Sequence, residues 1–81
     1  MNVRVLFFGR LTESLSAEPW TLDLAKGAAV ADLLSALDLR QPGVGEQLQR
    51  CMVAVNQEYA DRARKLSEGD EVAFLPPVSG G

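Results

Sequence analysis

The sequence predicts an α+β domain, a mixed β-sheet crossed on one face by a single main helix. Three observations carry this. Strand-like apolar segments stand near both ends of the chain, at residues 3–8 and 71–75. Between them Val30, Leu33, Leu34 and Leu37 fall at i, i+3, i+4 and i+7, which puts them on one helical face opposite Asp32 and Ser35. The chain has 81 residues, 47% hydrophobic and 23% charged, which suits one folded domain and argues against disorder in its body.

Taken in order, residues 3–8 are rich in β-branched and aromatic side chains and contain no breaker, so they form a strand. Both alternate sets are apolar: Val3, Val5 and Phe7 on one side, Leu6 and Phe8 on the other. That pattern predicts a central strand covered on both faces. Residues 9–19 make a longer connection with a helical turn around Leu11 to Leu15. Residues 20–24 alternate cleanly and place Trp20, Leu22 and Leu24 inward in a second strand. The helix that follows begins at Gly27-Ala28-Ala29, which offers no side-chain oxygen as a cap, and ends at Pro42 and Gly43. Residues 45–50 can add a second short helix.

Cys51-Met52-Val53-Ala54-Val55 reads as the next strand, turned at Asn56-Gln57 because asparagine tolerates a left-handed backbone. Residues 58–60 return as a short strand. Arg62-Ala63-Arg64-Lys65 reads as a solvated basic loop. Ser67-Glu68-Gly69-Asp70 is a turn, and residues 71–75 are the last strand, with Val72 and Phe74 on the core side and Leu75 on the other. Pro76-Pro77 cannot donate ladder hydrogen bonds and ends the sheet. The compact arrangement that fits this order is the β-grasp, with the first and last strands side by side in the middle. Residues 1–75 form the domain and residues 76–81 an extended tail.

Composition narrows the chemistry. The chain has no histidine, the usual general base and commonest neutral metal ligand. The single Cys51 can form neither an internal disulfide nor a thiolate cluster, which excludes an iron–sulfur site and fits a reducing compartment. Beside Met52 and Val53 it reads as a buried, inert core thiol rather than a sulfur relay. The opening apolar run is too short for a membrane span and lacks the cleavage site of a signal peptide, so a cytoplasmic location is expected. With a net charge of −3 the chain repels phosphates, so nucleic acid is not an expected partner.

The tail carries the chemical signal. Residues 76–81 read Pro-Pro-Val-Ser-Gly-Gly. Two prolines hold such a segment extended, and two glycines keep its tip thin enough to thread a narrow channel. A carboxylate on Gly81 resists nucleophiles. An adenylating partner using ATP would convert it to an acyl-adenylate, and a sulfur donor could then displace AMP to leave a thiocarboxylate. The carrier needs no acid, base, metal or bound cofactor of its own for this; the sulfur travels covalently on Gly81. The plain reading of the two glycines is a frayed end.

The whole chain resembles the family of small, sulfur-carrying subunits of molybdopterin synthase. The resemblance rests on Val5-Leu6-Phe7-Phe8-Gly9, on Ala54-Val55-Asn56-Gln57, and above all on Gly69-Asp70-Glu71-Val72-Ala73-Phe74-Leu75-Pro76-Pro77-Val78-Ser79-Gly80-Gly81. It implies a ubiquitin-like β-grasp, a sulfur-bearing Gly81, and sulfur delivery to a cyclic pyranopterin phosphate to build the molybdopterin dithiolene. Two partners follow from it: a ubiquitin-activating-like adenylating enzyme, and the synthase large subunit in a heterotetramer of two small and two large subunits. By position, Gly80 is the slim neighbour of Gly81. Pro76, Pro77, Val78 and Ser79 belong to the inserted tail, and Phe74 and Leu75 stand beside the partner. The carrier of thiamine thiazole synthesis shares the Gly-Gly end but lacks the Phe-x-Pro-Pro-Val run seen at residues 74–78. A protein modifier joined through Gly81 to target lysines, and an interaction domain with an inert tail, are the other readings.

Overall fold

A computed structural model describes residues 1–77. Five strands, β1 (Asn2–Phe7), β2 (Trp20–Asp23), β3 (Met52–Val55), β4 (Glu58–Ala60) and β5 (Glu71–Leu75), form one sheet in the order β2-β1-β5-β3-β4. Strands β1 and β5 run parallel in the interior of the sheet, and the remaining pairings are antiparallel. Three helices are interspersed: α1 (Leu11–Ser14), α2 (Val30–Arg40) and α3 (Val44–Leu48). This is the mixed, β-grasp arrangement expected from the order of elements. None of these helices is long and apolar enough to cross a membrane.

The core lies between α2 and one face of the sheet. Val3, Val5 and Phe7 of β1, Leu22 of β2, Val53 and Val55 of β3, and Val72 and Phe74 of β5 are all buried, as strand alternation requires. Val30, Leu33, Leu34 and Leu37 cover them from α2, so the helical spacing in the sequence marks the buried stripe. Burying a side chain of this kind contributes about 1.5–3 kcal/mol. Trp20 closes the edge, its ring edge-on to Phe7 with centroids 4.9 Å apart and the Arg40 guanidinium 4.2 Å above it.

The start of α2 shows how a helix without a side-chain cap is satisfied. Ala29 occupies the N-cap, and its own N–H donates to Asp32 Oδ2 at 2.8 Å. The orphan N–H groups of Val30 and Ala31 donate to the carbonyls of Arg64 and Arg62, both at 3.0 Å. The basic run at 62–65 is therefore more than the solvated loop expected. Its backbone caps the main helix, although its side chains stay half-buried or exposed. Substituting Asp32→Ala should cost about 1 kcal/mol and lower Tm by roughly 4–8 °C. An unchanged thermal melt would show that the two loop carbonyls hold the helix start unaided.

The other end of α2 is fixed by Asp38, whose Oδ1 accepts from the N–H groups of Gly43 and Gly45, both at 3.0 Å. Gly43 at φ +95° starts α3, which runs at residues 44–48, close to the short helix expected at 45–50, and buries Val44 and Leu48. Asn56 and Gln57 adopt φ of +50° and +71°, the left-handed turn read from the sequence. Asn56 also locks that turn to β5: its Oδ1 accepts from Glu71 N–H at 3.0 Å and its Nδ2 donates to Asp70 Oδ1 at 2.9 Å.

The expectation for β1 is corrected by the structure. The strand lies between β2 and β5, but it is not covered on both faces. The buried residues of the described helices share one core cluster with Val3, Val5 and Phe7. The opposite face keeps Leu6 only half-buried and leaves Phe8 45% exposed. An unbroken apolar run here marks an uncovered apolar face, not a second layer.

Candidate functional site

The site is built where β5 hands the chain to the tail. Phe74 ends the inner row of that strand, fully buried and stacked 6.2 Å from Phe7. Its burial bears out the reading of Phe74 as a core residue at the strand end. A side chain with no exposed surface can only support the strand end from beneath. Leu75 falls on the outer face, half-buried, paired across the ladder with Met52 of β3.

Around Leu75 the outer face is apolar. Leu6, Ala73, Ala54 and Tyr59 stand in register across β1, β5, β3 and β4. The next row toward the tail holds Phe8, Leu75 and Met52. Tyr59 is 72% exposed, Met52 48% and Phe8 45%, which is a large uncovered apolar surface for so small a domain. At the far end the same face turns polar, where Arg4 and Glu71 are paired at 3.6 Å. The patch is thus concentrated at the end of the sheet from which the tail leaves.

The tail base is held closely. Phe8 N–H donates to the Phe74 carbonyl at 3.1 Å, which extends the β1–β5 pairing to the last core residue. Gly9 then turns at φ +58°, and Pro76 sits directly over it: a Cβ on Gly9 would come within 2.9 Å of Pro76 Cγ. The glycine both permits the turn and leaves room for the proline. Pro76 is half-buried and Pro77 exposed. Val78, Ser79, Gly80 and Gly81 lie outside the described residues.

Beside Pro76 and Pro77 runs an open groove of about 590 Å³, with Arg10 and Arg50 on its walls and Cys51 at its floor. The Cys51 thiol is buried and faces the Gln47 carbonyl at 3.9 Å. Burial pushes its pKa above the ordinary value, against the opposing pull of Arg10 and Arg62. A thiol held protonated in this way is a poor nucleophile, in keeping with its reading as a core residue.

A family model described as the ThiS family matches residues 5–81. The chain belongs to the ThiS family. A molybdopterin synthase sulfur carrier subunit from Chlamydomonas reinhardtii is 37% identical over 83 residues, covering 100% of both chains. Among solved structures, the small archaeal modifier protein 1 of Haloferax volcanii superposes with a TM-score of 0.83 at 26% identity, over 95% of this chain and 98% of that one. A chain in the complex of subunits 1 and 2 of molybdopterin-converting factor from Helicobacter pylori matches over 100% of both chains, at 32% identity and a TM-score of 0.71. Family membership accounts for the order of strands and for the Gly69 to Gly81 stretch together.

Sequence reasoning singles out Leu75 but misses its neighbours. In the sequence Met52 and Tyr59 read only as strand residues, and Gly9 as the start of the connection after the first strand and the last residue of a stretch that carries the family resemblance. The signal for the patch is present in Leu6 and Phe8, apolar residues on the alternate face. The signal for Gly9 is not local, because its need for a missing Cβ comes from Pro76, far along the chain.

Proposed function

We propose that this protein is the sulfur carrier subunit of a molybdopterin synthase. Gly81 is activated by an adenylating enzyme at the expense of ATP. A sulfur donor replaces AMP, and the resulting thiocarboxylate gives its sulfur to a cyclic pyranopterin phosphate held by the synthase large subunit. Two such deliveries form the dithiolene, from carriers docked at opposite ends of a large-subunit dimer.

The observation that supports this reading best is the apolar face around Leu75, which lies at the end of the sheet where the tail departs. A partner seated on Phe8, Leu75, Met52 and Tyr59 lies where the chain enters Pro76-Pro77, so docking and tail insertion become one event. Adenylating enzyme and large subunit would use this face in turn. The likeness to the molybdopterin-converting factor complex of Helicobacter pylori and to the Chlamydomonas reinhardtii carrier adds to it.

The test is reconstitution. Chain carrying a terminal thiocarboxylate, mixed with large subunit and cyclic pyranopterin phosphate, should yield the dithiolene product, while unloaded chain should not. Equal yields from both would refute the carrier role. Leu75→Ala should weaken large-subunit binding by about 2 kcal/mol, roughly 30-fold, with little change in Tm. Calorimetric binding alongside a thermal melt checks this, and the reverse pattern would show that Leu75 serves the fold and not the partner.

The likeness to an archaeal modifier protein favours a second reading, in which the same acyl-adenylate on Gly81 is passed to a lysine amine as an isopeptide. Incubation with the adenylating enzyme, ATP and a lysine-rich acceptor protein separates the two: only the modifier reading predicts a covalent conjugate.

A further inference from the structure

We propose that the groove beside the tail base is a second docking subsite, in which Arg10 and Arg50 grip an acidic segment of the protein that receives the tail. The inference rests on the carrier reading above, because it requires a partner into which the tail inserts.

Charge distribution is the first support. The chain carries 8 basic against 11 acidic residues, yet among the described residues the groove wall presents Arg10 and Arg50, both exposed, against the one carboxylate of Glu46. Neither arginine lies within ion-pair distance of a carboxylate among the described residues, whereas Arg4 is paired with Glu71. A third arginine backs the groove. The Arg62 guanidinium donates to the Gln49 carbonyl at 2.6 Å, which fixes its charge behind the loop that leads into Cys51. Arg10 and Arg62 both act electrostatically on the Cys51 thiol at the groove floor, so the positive charges converge on one place.

Shape and position decide the kind of occupant. The groove is open to solvent, which suits a loop or strand of polypeptide better than an enclosed small anion. It is continuous with the apolar face through Pro76, which touches Gly9 on one side and lines the groove on the other. A partner seated on Leu75 therefore reaches Arg10 and Arg50 without leaving the interface. An extended polyphosphate is disfavoured, because two arginines on an acidic domain give little counterion release. Guanidinium groups match carboxylates in bidentate geometry, so Asp and Glu side chains at the rim of the receiving channel fit best.

The electrostatic subsite acts mainly on encounter, since opposite charges steer association and salt screens them. The test is stopped-flow association of the full chain with the molybdopterin synthase large subunit of the same organism, at low and high salt. Arg10→Glu with Arg50→Glu should slow association about tenfold or more at low salt, with the difference shrinking at high salt and Tm unchanged. Arg10→Gln with Arg50→Gln should fall between this variant and wild type, which guards against a folding defect in the charge reversal. Wild-type rates in both double variants, while Leu75→Ala still weakens binding, would overturn the acidic-segment subsite and leave the carrier reading standing. No association of the wild-type chain with the large subunit at either salt concentration would remove the carrier reading on which the subsite rests. RNA binding by the wild-type chain that is lost in the charge reversal, with large-subunit association unaltered, would also overturn it.

Discussion

Removing Gly81, or extending the chain beyond it, should abolish sulfur transfer completely while leaving Tm unchanged. The two halves of this expectation have different physical origins. Transfer requires a free carboxylate on Gly81 for adenylation. An added residue turns that carboxylate into an amide, which ATP-dependent activation does not reach. A deletion shortens the reach beyond the docked surface, and at about 3.3–3.6 Å per extended residue the reacting group would miss its position. Stability is unaffected because the core closes at Phe74, before the tail begins. Thermal melts and a reconstituted transfer assay on the two variants check both halves. Wild-type transfer by an extended chain that mass spectrometry shows to be unprocessed would contradict the role of Gly81.

Phe74→Ala should be the most damaging single substitution in the domain. Phe74 is fully buried on an interior strand, stacked on Phe7 and facing the core below α2. Truncating such a ring costs about 3–5 kcal/mol through lost transfer energy and an unfilled cavity. A chain of this length has a total stability of roughly 4–12 kcal/mol, so the variant would be marginal or unfolded at ambient temperature. Tm should fall by roughly 15 °C or more. Partner binding would fall with it, as a consequence of unfolding. A shift of only a few degrees by circular dichroism would mean that the strand end is not anchored in the way the packing indicates. Leu75→Ala is the complement: the adjacent residue on the other face, with the effect on binding and little on the melt.

The elements whose signals are local are readable from sequence. The buried face of α2 follows from the spacing of Val30, Leu33, Leu34 and Leu37, and the left-handed turn from Asn56. The inner row of β5 follows from the alternation of Val72 and Phe74. What sequence could not supply depends on contacts between distant segments. The N–H groups of Val30 and Ala31 are satisfied by carbonyls more than thirty residues away, which no capping rule detects. The requirement for glycine at position 9 is imposed by Pro76. The apolar residues Leu6 and Phe8 signal a second buried face, because periodicity reports apolar character and not what covers it. Among the described residues, Leu6 is only half-covered and Phe8 is left exposed. The same ambiguity hides the site, since a partner surface and a core surface are written in the same residue types.

The site residues divide in the same way. The outer-face placement of Leu75 is legible because it alternates with Phe74 at the last step of β5, while Val78 to Gly81 lie outside the described residues. Arg10 and Arg50 are not legible, for each is an ordinary exposed charge until the fold brings both to one groove beside Pro76 and Pro77.

The central claim is that Gly81 carries sulfur, and the most direct test is the intact mass of the protein purified from its native host. The carrier reading predicts a population heavier than the sequence mass by the exchange of one oxygen for sulfur, with fragmentation placing the change at Gly81. That population should vanish when the adenylating enzyme is deleted. An unmodified mass throughout, in cells actively making the molybdenum cofactor and with the terminus protected from hydrolysis during purification, would contradict it.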